Sequence, residues 1–138
     1  MSNFDDSLWP VLIQRVEGVV SDLQFEEDLA WGKAYLQRGE KYVCIADLGR
    51  RSVPTVGQRQ RQADWLKENE ALLAERLLGC AVIITSPFLR MAMSTVLYLR
   101  PMPAPYVAVS DMATALKWAA DRLEEAGLPE AASRIRSQ

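Results

Sequence analysis

Short apolar runs alternate with capped, amphipathic stretches along this chain, and that alternation admits few architectures. The runs lie at 9–17 (WPVLIQRVE), 42–47 (YVCIAD), 81–85 (AVIIT) and 106–110 (YVAVS). Each has strand length and favours β-branched residues. Pro10 falls near the start of the first run, where a missing N–H is tolerated.

The stretches between them carry helix signals. Ser21 stands three residues before Gln24, a capping-box spacing, and Phe25, Leu29, Gly32 and Leu36 follow at helical intervals up to Gly39. Thr55 and Gln58 repeat that spacing, and a long helix with Leu66, Leu73 and Leu77 on one stripe is expected to reach Gly79. Ser86-Pro87 is a hydroxyl N-cap followed by proline at the first helical position. The helix expected at 88–99 is apolar nearly all round, with Arg90, Ser94 and Tyr98 as a narrow polar stripe. Pro101, Pro103 and Pro105 end it, and Asp111 caps a last helix in which Ala115, Leu116, Ala119 and Leu123 face inward. After Gly127, residues 128–138 read as a tail with a frayed turn.

The order βαβαβαβα predicts an α/β fold: one domain, core 8–127, with a small, mostly parallel sheet of four to five strands covered by about four helices. At 138 residues the chain is long enough for a core without staples. A net charge of −2 gives no long-range attraction for nucleic acid or anionic membrane. Cys44 and Cys80 sit in apolar runs and read as buried thiols, and the N-terminal residues lack the pattern of a signal peptide, so a cytoplasmic protein is expected. No apolar run is long enough to insert in a membrane.

Catalytic signals are missing. There is no histidine, which removes Ser-His-Asp and Cys-His chemistry and the commonest metal ligand. No phosphate-binding or dinucleotide-binding glycine loop and no nucleophile elbow is present, so neither an enzyme nor a cofactor or metal is expected. The adjacent carboxylates Asp5-Asp6, Glu26-Glu27 and Glu124-Glu125 fall in a terminus expected to be mobile and in two helices, where neighbours diverge by about 100°.

Two surfaces stand out. In a parallel sheet the strand-to-helix loops collect at the carboxyl ends of the strands, where open α/β folds bind ligands. That edge would gather Asp47, Arg50, Arg51, Ser52, Thr55, Arg59, Ser86, Arg90 and Asp111, and helix N-termini among arginines can hold a phosphate or carboxylate. The plainer alternative is that Thr55 and Ser86 only cap helices and the arginines pair with local acids. The second surface is the 88–99 helix: packing on a sheet covers one side, leaving Phe88, Met91 or Leu99 as an interface for a protein partner, most simply a homodimer. Packing wholly within its own core is the other reading.

Three passages carry a resemblance: LIQRVEG leading into SDLQFEEDLAWG; KYVCIADLG; and GCAVIITS followed by PYVAVSDMATALKWAADRL. In pattern and order, over residues 9–126, they resemble the STAS superfamily, the anti-sigma-factor-antagonist-like (SpoIIAA-like) domains. The resemblance implies a non-enzymatic interaction or regulatory module. It also implies a phosphorylation switch at the helix start after the second conserved strand, where this chain has Ser52 and Thr55. The family's Asp-Ser-(Ser/Thr)-Gly signature is absent there. Kinship with lipid-carrier Sec14-type domains implies a small-ligand or lipid-binding alternative, against which 138 residues leave little volume for a pocket of ~300–1,000 Å3.

Overall fold

An antiparallel hairpin opens the fold, and its first strand is formed by the segment expected to be mobile. The computed structural model describes residues 2–138. Its order is β1 (Ser2–Leu8), β2 (Val11–Gly18), α1 (Asp22–Leu36), β3 (Tyr42–Arg51), α2 (Val56–Glu68), α3 (Glu70–Arg76), β4 (Leu77–Ile83), α4 (Pro87–Leu99), β5 (Tyr106–Val109), α5 (Met112–Glu125) and α6 (Pro129–Arg136). The hairpin turn contains Trp9–Pro10, whose peptide bond is cis. Asp5 and Asp6 are not a loose pair: Asp5 accepts from the Ser7 N–H and lies 3.6 Å from Arg15, and Asp6 meets Arg38 at 2.9 Å.

The five strands lie in the order β1-β2-β3-β4-β5, with β1 antiparallel and the other pairs parallel. The sheet is thus mixed and mostly parallel. A crossover of fixed hand that always steps the same way along a sheet leaves its helices on one face. Accordingly α1, α2, α3 and α4 cover one side, over Leu12, Val16, Tyr42, Leu48, Cys80 and Val82. On the other side α5 and α6 cover Val11, Ile13, Val43, Ile45, Ala81 and Ile83. The two sets alternate along each strand, as the pleat requires.

Several boundaries differ from expectation. β3 runs on past Asp47 through Arg51, so Gly49, Arg50 and Arg51 are strand rather than loop. The long helix breaks at the buried Asn69, whose side chain donates to the Trp65 carbonyl, and Gly79 lies within β4 instead of ending a helix. Thr85, expected in the strand, lies beyond its end at Ile83. Residues 129–136 are no frayed tail: α6 buries Ala131, Ala132 and Ile135 in the second core. Among the described residues the helices number six rather than about four.

Candidate functional site

Pairing of β2 with β3 steps evenly from Val11↔Val43 to Arg15↔Asp47, and then joins Glu17 to Arg50 and Gly18 to Arg51. Between Arg15↔Asp47 and Glu17↔Arg50 β2 advances by two residues and β3 by three, so β3 carries a bulge at Leu48–Gly49. Its consequence is directional. Tyr42, Cys44, Ala46 and Leu48 all belong to the face under α1 and α2. Unbroken alternation would send Arg50 to that side next. The extra residue sends Arg51 there instead, leaving Arg50 exposed. The Asp47 carboxylate accepts from the Gly49 N–H at 3.2 Å, which ties the bulge down.

Arg51 lines a partly open cavity of about 170 Å3 between the sheet and the α1, α2 and α4 layer. The wall is largely apolar, with Phe25, Tyr42, Trp65, Met93 and Tyr106, and Arg51, Gln58, Gln62, Arg59 and Asp28 supply polar groups. The spacing of α1 and α2 is set by Trp65, whose indole N–H donates to the Leu29 carbonyl at 3.1 Å. Its ring lies where a Cβ on Gly32 would be 3.3 Å away, so a glycine allows this approach. Gln58 closes the layer above, its amide donating to the Val20 carbonyl and the Asp22 carboxylate.

Burial governs the electrostatics of this space. The Arg51 guanidinium stands 5.7 Å from the centre of the Phe25 ring, and its Nε is buried without a hydrogen-bond partner. Burial pulls its pKa below the ordinary arginine value, against an opposing pull from Asp28. Burial likewise pushes the Tyr42 phenol up, and Tyr106 up to about 12. Cys80, in register with Cys44 across the β3–β4 pair, is raised by the hydrogen bond with Cys44 and by burial, and both thiols are free.

Arg15, Arg38, Arg61, Arg100, Arg122 and Arg136 each have a carboxylate partner. Among the described residues, Arg50, Arg51, Arg59 and Arg90 have none within 4.0 Å, and neither do Arg76 and Arg134. The expected alternative of arginines paired with local acids therefore does not describe the four expected at the sheet edge. The expected cluster is nevertheless divided. Arg51 and Arg59 line the cavity, Arg50 and Arg90 are exposed, and Asp47 follows Val43 and Ile45 onto the opposite face. Thr55 caps α2 in a complete capping box with Gln58, Ser86 caps α4, and Asp111 caps α5 through the Thr114 N–H, which also holds its carboxyl low. Ser52 is exposed and donates its N–H to the Gly18 carbonyl.

The reason for the division is topological. Ligand crevices at strand ends form where the strand order reverses, and this order never reverses. Open space lies under the helix layer instead. Phe25 is expected from the sequence only as an apolar helix-face residue, and Trp65 carries no sequence signal of its own. The usable signal was Gln58 and Gln62, polar residues one turn apart on the inward side of a helix otherwise facing a core.

On the outer side of that layer, α4 buries Leu89, Ala92 and Val96 and turns Phe88, Met91 and Tyr98 outward, at 73%, 68% and 89% exposure. Leu99 is also exposed, and these four side chains form a stripe about three turns long with no charge within it. Tyr98, expected in a polar stripe with Arg90 and Ser94, belongs to this apolar one by position. Among the described residues no helix is long and apolar enough to cross a membrane.

No protein-family model and no curated protein matches the chain. A solved structure does: an uncharacterised protein of the DUF3478 family with a SpoIIAA-like fold, from Shewanella loihica. The two are similar over 86% of this chain and 92% of that one, with a TM-score of 0.63 and 12% identity. The likeness is one of fold, and this single α/β domain has a SpoIIAA-like fold.

Proposed function

We propose that the chain is a non-enzymatic protein-interaction module that docks through the outer face of α4, its occupant a second copy of the chain. The observation that carries this reading is the uncharged stripe of Phe88, Met91, Tyr98 and Leu99 on an otherwise well-packed helix. Exposed large apolar side chains gathered along one helix face mark contact sites. A stripe without charge is self-complementary and suits a two-fold pair. The absence of histidine and of any cofactor motif supports a role without catalysis. Free thiols at Cys44 and Cys80 suit a reducing, cytoplasmic setting.

Light scattering during gel filtration tests the pairing. The parent chain is expected at dimer mass, and Met91→Glu with Tyr98→Glu at monomer mass with an unchanged circular dichroism spectrum. Both positions are exposed, so neither change disturbs the core. A parent chain that stays monomeric at high concentration rules out the second copy.

The cavity favours a second reading, a small-ligand domain. Its volume of about 170 Å3 falls below the ~300–1,000 Å3 of drug-sized sites, so a whole phospholipid does not fit.

A further inference from the structure

Building on the small-ligand reading, we propose that the cavity binds a small apolar monocarboxylate, its ring or chain in the aromatic space and its carboxylate on Arg51.

Size sets the first limit. A dry engineered cavity of ~150 Å3 takes one benzene ring, and this one measures about 170 Å3. The match is to a single ring or a short acyl chain. The walls set the second. Phe25, Tyr42, Trp65, Met93 and Val96 offer dispersion contacts and little hydrogen bonding, so the body of the ligand is hydrocarbon.

Charge sets the third. A half-buried guanidinium with a buried, unpartnered Nε is costly unless an acceptor meets it. Arg59 lines the same wall, also without a carboxylate at ion-pair distance. The one carboxylate on the wall is Asp28, which stands farther than ion-pair distance from Arg51 and has contacts of its own. Two cations against one anion leave room for one negative charge. A monoanion satisfies that balance, and charge-assisted hydrogen bonds to a guanidinium are the strongest a carboxylate can make. A phosphate dianion would bring a second charge into apolar surroundings with nothing to compensate it.

The β3 bulge gives the site its construction. Without the extra residue Arg50 would face inward and Arg51 outward, so the cation in the cavity is placed by a local irregularity fastened through Asp47 and Gly49. Bulges re-aim side chains in this way beside functional sites.

Isothermal titration with hexanoate and with 1-hexanol, which share a chain and differ in the head group, tests the assignment. One equivalent of hexanoate is expected to bind the parent chain, at least about tenfold more tightly than hexanol. Arg51→Met should remove that advantage and leave hexanol unchanged. Ala46→Leu, which fills the cavity from the sheet side, should abolish both. Arg51→Lys, which keeps the charge, serves as the partner variant if Arg51→Met melts early, and should retain a preference for hexanoate. Equal binding of the two probes, unmoved by Arg51→Met but lost in Ala46→Leu, overturns the carboxylate assignment and leaves the small-ligand reading intact. Failure of both probes to bind the parent at millimolar concentration overturns both, as does hexanoate binding that survives Ala46→Leu unchanged.

Discussion

Gly79 sits in β4 beneath α5, where a Cβ would stand 2.5 Å from Cη2 and 2.9 Å from Cζ3 of Trp118. That ring cannot swing away freely, because Arg122 covers it at 5.1 Å from the ring centre and its own aliphatic stem approaches the same spot at 3.3 Å. Gly79→Ala is therefore expected to cost ~1–3 kcal/mol, the usual penalty for overpacking, as read from urea denaturation. Trp118→Leu in the same chain should recover part of the loss, and a neutral Gly79→Ala would show that the indole yields. In the sequence this glycine reads equally well as a helix terminator, since lack of a Cβ serves both purposes. Arg50 and Arg51 pose the same difficulty. Two adjacent arginines after a strand look equivalent, and a one-residue bulge, which no local pattern announces, decides which turns inward.

At the level of elements, strands with strong β-branched runs and helices with a hydroxyl or aspartate N-cap were legible. Ser21, Thr55, Ser86 and Asp111 all accept from the backbone N–H three residues on. What escaped had weak local signal and tertiary support. β1 (SNFDDSL) is polar because it is an edge strand, and Phe4 ties it to an aromatic cluster with Trp31 and Tyr35. α6 has eight residues and no side-chain cap, too short to hold alone. It is held by Ala131, Ala132 and Ile135 in the second core and by Arg136 on Asp121 and Glu124. Ile135 is 3% exposed, so Ile135→Ala should destabilise the whole domain by ~2–5 kcal/mol. An unfolding midpoint within error of the parent's would mean that α6 docks without contributing.

For the molecule as a whole, α/β alternation correctly anticipated a small, mostly parallel sheet, but strand order is not written in alternation. The order β1-β2-β3-β4-β5 places every crossover helix on one face and leaves no reversal at the strand ends. The expected edge cluster is thus divided, with Thr55, Ser86 and Asp111 used as caps, Ser52 exposed and Asp47 on the far face. Two of its arginines reappear inside, around space that helices propped by Trp65 leave open. Volume of this kind is a product of three-dimensional packing, and no residue pattern reports it.

The most direct test of an inward Arg51 beside a ligand cavity is the 1H–15N resonance of its Nε–H group, assigned through Arg51→Lys. A buried, unpartnered donor beside a cavity is expected to exchange with solvent more slowly than the Nε–H groups of the exposed Arg50 and Arg90, and to shift when hexanoate but not hexanol is added. A resonance that exchanges as fast as those two, and that hexanoate leaves in place, would contradict the cavity site at its root.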